Sequence, residues 1–197
     1  MIEVNFQSKV ILSFIFGTIA GRYVKASNEV DLLIQMLLAL LLFLIGVDSG
    51  YSISYKDVVS GLKTGLLSLM SAVAGSFAAG VLFFPMLGKL SIASALGLGW
   101  YTFSSSFLAS QMGSMGGVIG FVTNLSREIF GMITIPSLSR KFSCGALVSM
   151  AGSPSSDTLL PFIYKQCGSS FLVPSIAQGV LTTFVVPLLQ TAAISAL

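Results

Sequence analysis

Histidine is missing from this chain altogether, and cysteine occurs only as Cys144 and Cys167. Without histidine, zinc sites and imidazole acid–base chemistry lose their commonest residue, and two isolated cysteines are too few to suggest a disulfide framework or a metal centre. No cofactor is implied. Charge is also scarce, at 9% of residues, against about 25% in an ordinary soluble domain. Hydrophobic residues fill 54% of the 197 positions, and the mean hydropathy is +0.94. That is the composition of an integral membrane protein, with room for one bundle of about five to seven spans in a single transmembrane domain, 1–197, and no soluble headpiece. The net charge of +3 lies between the apolar runs. There it sets membrane orientation and does not indicate nucleic acid.

Plain spans are predicted at about 10–24, 30–47 and 62–87, separated by the polar loops Arg22–Asn28 and Asp48–Ser60. The first apolar run, Val10–Ala20, has the length of a signal-peptide core, but Arg22 and Lys25 follow it with no small-residue cleavage site, so it reads as an uncleaved span. From Ser91 onward the pattern breaks up. Gly97–Ser106, Gly113–Gly117 and Met150–Asp157 interrupt the apolar pieces, Pro161 follows, and a last span is predicted at about 171–196. Glycine, proline and serine at membrane depth free backbone groups that hydrocarbon cannot satisfy, so such breaks survive only where protein or water encloses them. Discontinuous helices of this kind mark transporter binding sites. The fold expected is therefore an all-α, polytopic transmembrane bundle with discontinuous or re-entrant helices.

The basic residues discriminate between two topologies. With seven full spans, Arg22, Lys25, Lys89, Arg140 and Lys141 face Lys9, Lys56, Lys63 and Lys165, a near-even split. If the pieces at about 92–110 and 144–164 instead enter and leave on one side, five spans remain, and Lys9, Lys56, Lys63, Arg140, Lys141 and Lys165 share a side against Arg22, Lys25 and Lys89. The second arrangement obeys the positive-inside rule better, with the N-terminus in the cytoplasm and the C-terminus outside.

Two acids stand out against this background. Glu128 lies inside the apolar run 116–135, and Asp157 lies inside the broken stretch 144–164. An acid at mid-bilayer costs about 2.5–3.5 kcal/mol on insertion scales, so it is usually kept for pairing, proton transfer or cation transport. Asn124, Arg127, Glu128 and Gly131 fall at i, i+3, i+4 and i+7, one face of a helix that must look into the bundle. Structural roles compete with these. Arg127 and Glu128 could pair with neighbours to hold helices together, and Asp157 could cap a helix starting near Thr158. Trp100 and Tyr101 could face an ammonium group or simply pack. Asp31 and Asp48 suit interfacial positions near the ends of the Leu-rich span. Gly17/Gly21, Gly113/Gly117 and Gly116/Gly120 have the spacing of close helix contacts.

Taken together, Gly99-Trp-Tyr-Thr-Phe-Ser104, Asn124-Leu-Ser-Arg-Glu128 followed by Ile135-Pro136, and Met150…Asp157-Thr-Leu-Leu-Pro161 resemble, in order and spacing, the bacterial lysine exporter family of the LysO type. Leu41–Asp48 is similar too, though more generic. The resemblance implies export of L-lysine and close analogues across the inner membrane in exchange for protons, with an essential intramembrane acidic pair at Glu128 and Asp157. Typical members are about half again as long. The chain thus resembles their C-terminal portion, which implies a small companion membrane subunit or a homodimer to complete the bundle.

In the mechanism this supports, Glu128 and Asp157 neutralise the ammonium charge, and a half-helix N-terminus around Ser153–Ser156 or Ser104–Ser106 receives the carboxylate. A cation/proton antiporter of similar construction would use the same acids. An intramembrane aspartyl protease also needs two, but Asp157 follows Ser-Pro-Ser-Ser rather than a glycine-flanked setting. A serine hydrolase lacks its base, so no enzyme is expected.

Overall fold

The computed structural model describes residues 6–23, 28–50 and 54–196. Lys25 and parts of both polar loops lie outside these residues, as do the side chains of Lys9 and Asp31. Nine α-helices follow in order: α1 Phe6–Gly21, α2 Asn28–Gly50, α3 Tyr55–Leu82, α4 Phe84–Leu87, α5 Lys89–Ala95, α6 Tyr101–Leu138, α7 Cys144–Ala151, α8 Leu160–Cys167 and α9 Leu172–Ser195. Among the described residues there is no strand. Three helical stretches, Tyr55–Leu82, Tyr101–Leu138 and Ser169–Ser195, are long and apolar enough to cross a membrane.

Local chemistry explains where the helices begin and bend. A capping box starts α3: the Ser54 hydroxyl accepts from the Asp57 N–H at 3.4 Å, and the Ser54 N–H donates to the Asp57 carboxylate at 2.8 Å. Helix α6 folds back on itself at Gly113, whose φ of 77° is open to glycine and strained for most other residues. Its arms, 101–112 and 114–138, then lie antiparallel and very close. A Cβ added to Gly116, Gly117 or Gly120 would come within 2.8 Å of Leu108 or Ala109. Two of the three glycine spacings noted in the sequence therefore build this contact; Gly17 and Gly21 have nothing within 4 Å.

Both interrupted segments turn back to the end they came from. The first consists of α5, a tip at 96–100 and the first arm of α6. Lys89 donates to the Ile194 carbonyl at the end of α9, Ser91 donates to the Gly80 carbonyl near the end of α3, and Leu90, Leu108 and Ala193 share one apolar cluster with Met112 against it. The second consists of α7, a tip at 152–159 and α8. Its mouth lies at the opposite end, where Ser139 meets Gln166 and Tyr164 bonds Asp48. Both broken segments thus return to the end they entered, as expected of re-entrant pieces. The long α6 arm, α3 and α9 enclose the two hairpins.

One expectation is corrected. Cys144 and Cys167 form a disulfide, with Cα atoms 5.8 Å apart. Their separation of 23 residues gave no sign of pairing, because only the hairpin brings the first turn of α7 beside the last turn of α8.

The two hairpin tips touch each other. The Ser153 N–H donates to the Leu98 carbonyl at 2.8 Å, and a Cβ on Gly152 would sit 2.2 Å from that same oxygen. Asn124, from the long arm of α6, holds the first tip: its oxygen accepts from the Gly99 N–H at 2.7 Å, and its amide donates to the Ser94 carbonyl at 3.0 Å. Asn124→Leu leaves the buried Gly99 N–H unpaired, at a cost of about 1–3 kcal/mol. The variant should unfold at a clearly lower temperature in detergent than Thr134→Val, which removes an exposed bond to the Phe130 carbonyl; equal midpoints would contradict this account of the tip.

Candidate functional site

Glu128 lies on the buried stripe of the long α6 arm, with Gly117, Gly120, Asn124, Gly131 and Ile135, and is 6% exposed. The packing of Gly131 against Leu159, where a Cβ would lie 2.6 Å from a leucine methyl, lets the tip of the second hairpin come up against this stripe. Thr158 and Asp157, on that tip, both lie close enough to the Glu128 carboxylate to act on it, and the Thr158 hydroxyl donates to Asp157 at 3.3 Å. Tyr101, at the start of α6, is coupled to both acids. Its ring also meets Phe121 edge-on at 5.6 Å. The fold thus brings Glu128, Asp157 and Tyr101 together, with Thr158 between the acids.

Asp157 is not a helix cap. Helix α8 starts at Leu160, with Leu159 at the capping position and no side-chain cap, while Asp157 Oδ1 accepts from the N–H of its neighbour Thr158 at 2.6 Å. Arg127 and Glu128 do not pair with each other. Consecutive helical residues diverge by about 100°, and Arg127 turns to the C-terminus of α7, where it donates to the Met150 carbonyl at 2.9 Å, the Ser149 carbonyl at 3.2 Å and the Ser76 hydroxyl at 2.7 Å.

The remaining candidates sit elsewhere. Trp100 stacks on Phe103 at 4.8 Å and packs against the cluster of Leu69, Ala72, Leu98 and Val186, so it is a packing residue. Ser104 is fully buried and accepts from Gln190 at 3.0 Å. The 3-10 turn Ser153–Ser156 is bound up with α9 and with itself: Ser155 donates to the Ser175 carbonyl at 2.9 Å, and Ser156 donates to the Ser153 carbonyl and abuts Gly179. Asn124 holds the first tip.

Sequence reasoning missed two glutamines that complete the scaffold. Gln178 donates to the Val148 carbonyl at the end of α7 at 2.9 Å, and Gln190 donates to the Ala93 carbonyl at the end of α5 at 2.8 Å. They lie on one stripe of α9 with Thr182 and Val186, at steps of four residues, and all four are fully buried. Two amides recurring on one face of an otherwise apolar helix were the available signal. Among the described residues no cluster of three or more metal-ligating side chains is present.

Known proteins supply the context for this arrangement. No solved structure matches the chain. A candidate lysine exporter of Haemophilus influenzae is 31% identical over 92% of this chain and 93% of its own length. The lysine exporter LysO of Escherichia coli K12 is 27% identical over 91% of this chain, which spans 60% of that longer protein. The profile of the lysine exporter LysO family matches residues 11–194. With nearly its whole length matched, the chain belongs to the lysine exporter LysO family of membrane transporters.

Proposed function

We propose that this protein exports L-lysine and close basic analogues by exchange for protons, using Glu128 and Asp157 as the shared site for ammonium groups and protons. The observation that carries the reading is that the tip of the second hairpin, with Asp157 and Thr158, packs through Leu159 on Gly131 against the α6 stripe that carries Glu128. Membership of an exporter family supports a transport role and not an enzymatic one. A bacterial inner membrane is the proposed location, crossed five times, with a companion membrane subunit or a second copy completing the bundle.

The energetics require coupling. Lysine carries two ammonium groups and one carboxylate, and moving its net positive charge out against an inside-negative potential costs about 2.3 kcal/mol per 100 mV. Ionised Glu128 and Asp157 attract the ammonium groups on the cytoplasmic side. Protons arriving from outside neutralise the carboxylates and release lysine, and loss of those protons to the cytoplasm recharges the site. Thr158, whose hydroxyl donates to Asp157 at 3.3 Å, keeps that acid hydrogen-bonded when lysine has left.

The test is radiolabelled-lysine counterflow in proteoliposomes. Glu128→Gln and Asp157→Asn should each lower lysine exchange by roughly 10- to 100-fold, the equivalent of losing a charged hydrogen bond of about 1.5–3 kcal/mol, and flatten its pH dependence. Full pH-dependent exchange in both correctly folded variants removes the acids from the mechanism. Sodium exchange without lysine exchange in the wild type favours a cation antiporter instead.

Orientation has its own test. The charge bias puts the basic end of the bundle, with Lys56, Arg140, Lys141 and Lys165, in the cytoplasm, and the Cys144–Cys167 pair lies at that end. Cytoplasmic thiols are kept reduced. If the basic end is cytoplasmic, the bridge present in the structure should be open in growing cells, and both cysteines should be alkylated as free thiols after acid quenching. A bridge already closed in growing cells would put the basic end outside and reverse the orientation.

A further inference from the structure

The face of α6 that carries Arg127, about 100° around the helix from Glu128, has a feature that the proton–lysine exchange above does not use. A groove runs along α3 in three adjoining cavities of about 370, 410 and 310 Å³. The first opens near Thr64 and Ser143 at the basic end. It shares Ser71 and Ser149 with the second, which Arg127 and Ser76 also line, and Ala79 joins the second to the third. Hydroxyls and small residues therefore form a path from the basic end toward Arg127.

Arg127 is a cation whose partners are all neutral. A guanidinium has five N–H groups, of which three are used, on Met150, Ser149 and Ser76, all of which line the 410 Å³ cavity together with Arg127, and two are left for a further partner. Arg127 is roughly 20 Å from one end of the long α6 arm and roughly 16 Å from the other, at 1.5 Å per residue. That is too deep for a lipid phosphate, and at such depth a charge is expected to have a partner. Two parallel N–H groups on a planar fork match a carboxylate better than any other common anion.

We infer that Arg127 is a recognition point for the α-carboxylate of the transported amino acid, reached from the basic end along the α3 groove. This rests on the lysine-transport reading and gives the carboxylate a different receptor from the serine turns. The ammonium groups belong to Glu128 and Asp157, and Arg127 makes the site prefer an amino acid over a bare diamine. Its three existing bonds hold the guanidinium at the end of α7, so little further ordering is needed when the solute arrives.

Counterflow of labelled lysine, competed by lysine, lysine methyl ester and cadaverine, tests this. In the wild type, the ester and the diamine should compete about tenfold or more weakly than lysine, since each lacks the ionised carboxylate. Arg127→Gln should weaken lysine to the level of cadaverine and leave cadaverine unchanged, so the ratio falls to about one; Arg127→Lys should restore part of it. A purely structural Arg127 would weaken all three competitors alike and keep the ratio, which overturns the inference. So does cadaverine matching lysine in the wild type.

Should Arg127→Gln not fold, Ser71→Cys in a Cys144→Ser/Cys167→Ser chain serves instead. Lysine, and not cadaverine, should slow its labelling by a methanethiosulfonate reagent, and absence of that protection refutes the site. If the wild type moves no lysine at all, the transport reading fails. Protection of the same cysteine by acetate then still reports on the carboxylate site, and its absence rejects that site too.

Discussion

A helix that stops inside a bilayer leaves its last carbonyls with no water to bond, and this structure is organised around supplying those bonds. Helices α5 and α7 both stop in this way. Each end receives one side chain from α6 and one from α9: Asn124 and Gln190 at the end of α5, Arg127 and Gln178 at the end of α7. The two long helices are therefore more than walls. Their polar residues hold two short helices whose tips could not otherwise exist at that depth, and the acids owe their position to those tips.

The two ends are nonetheless held differently. At α5 both donors are neutral amides, whereas at α7 one donor is a guanidinium. The negative end of a helix dipole favours a cation, so Arg127 is well placed electrostatically while retaining N–H groups for something else. One residue further along the same helix, Glu128 faces the start of α8. Opposite charges are thus kept apart by the turn of a single helix instead of cancelling in an ion pair.

Much of this was legible in the sequence because a polar residue in an apolar run has few reasons to be there. Glu128 and Asp157 were conspicuous on those grounds, and the glycine, serine and proline clusters gave away the breaks. The basic residues separated re-entrant from crossing segments, since moving two loops to one side changed their balance. Other features depended on contacts that no local pattern records. Cys144 and Cys167 meet only because the second hairpin closes. Asp157 looked like a cap because a Ser-rich turn precedes it, yet the helix begins three residues later. Trp100 packs away from the acids while Tyr101 beside it faces them, a distinction set by the first turn of α6. Gln178 and Gln190 were readable in principle, but amides attract less notice than charges.

The contact between Leu98 and Ser153 bears on how such a molecule alternates its exposure. These residues belong to segments that come in from opposite faces, and a direct backbone bond ties them where they meet. One hairpin cannot lift like a lid without dragging the other, and both are pinned to the same two long helices. A displacement of either tip is therefore shared by both hairpins and, through Asn124 and Gln178, passed on to the two long helices.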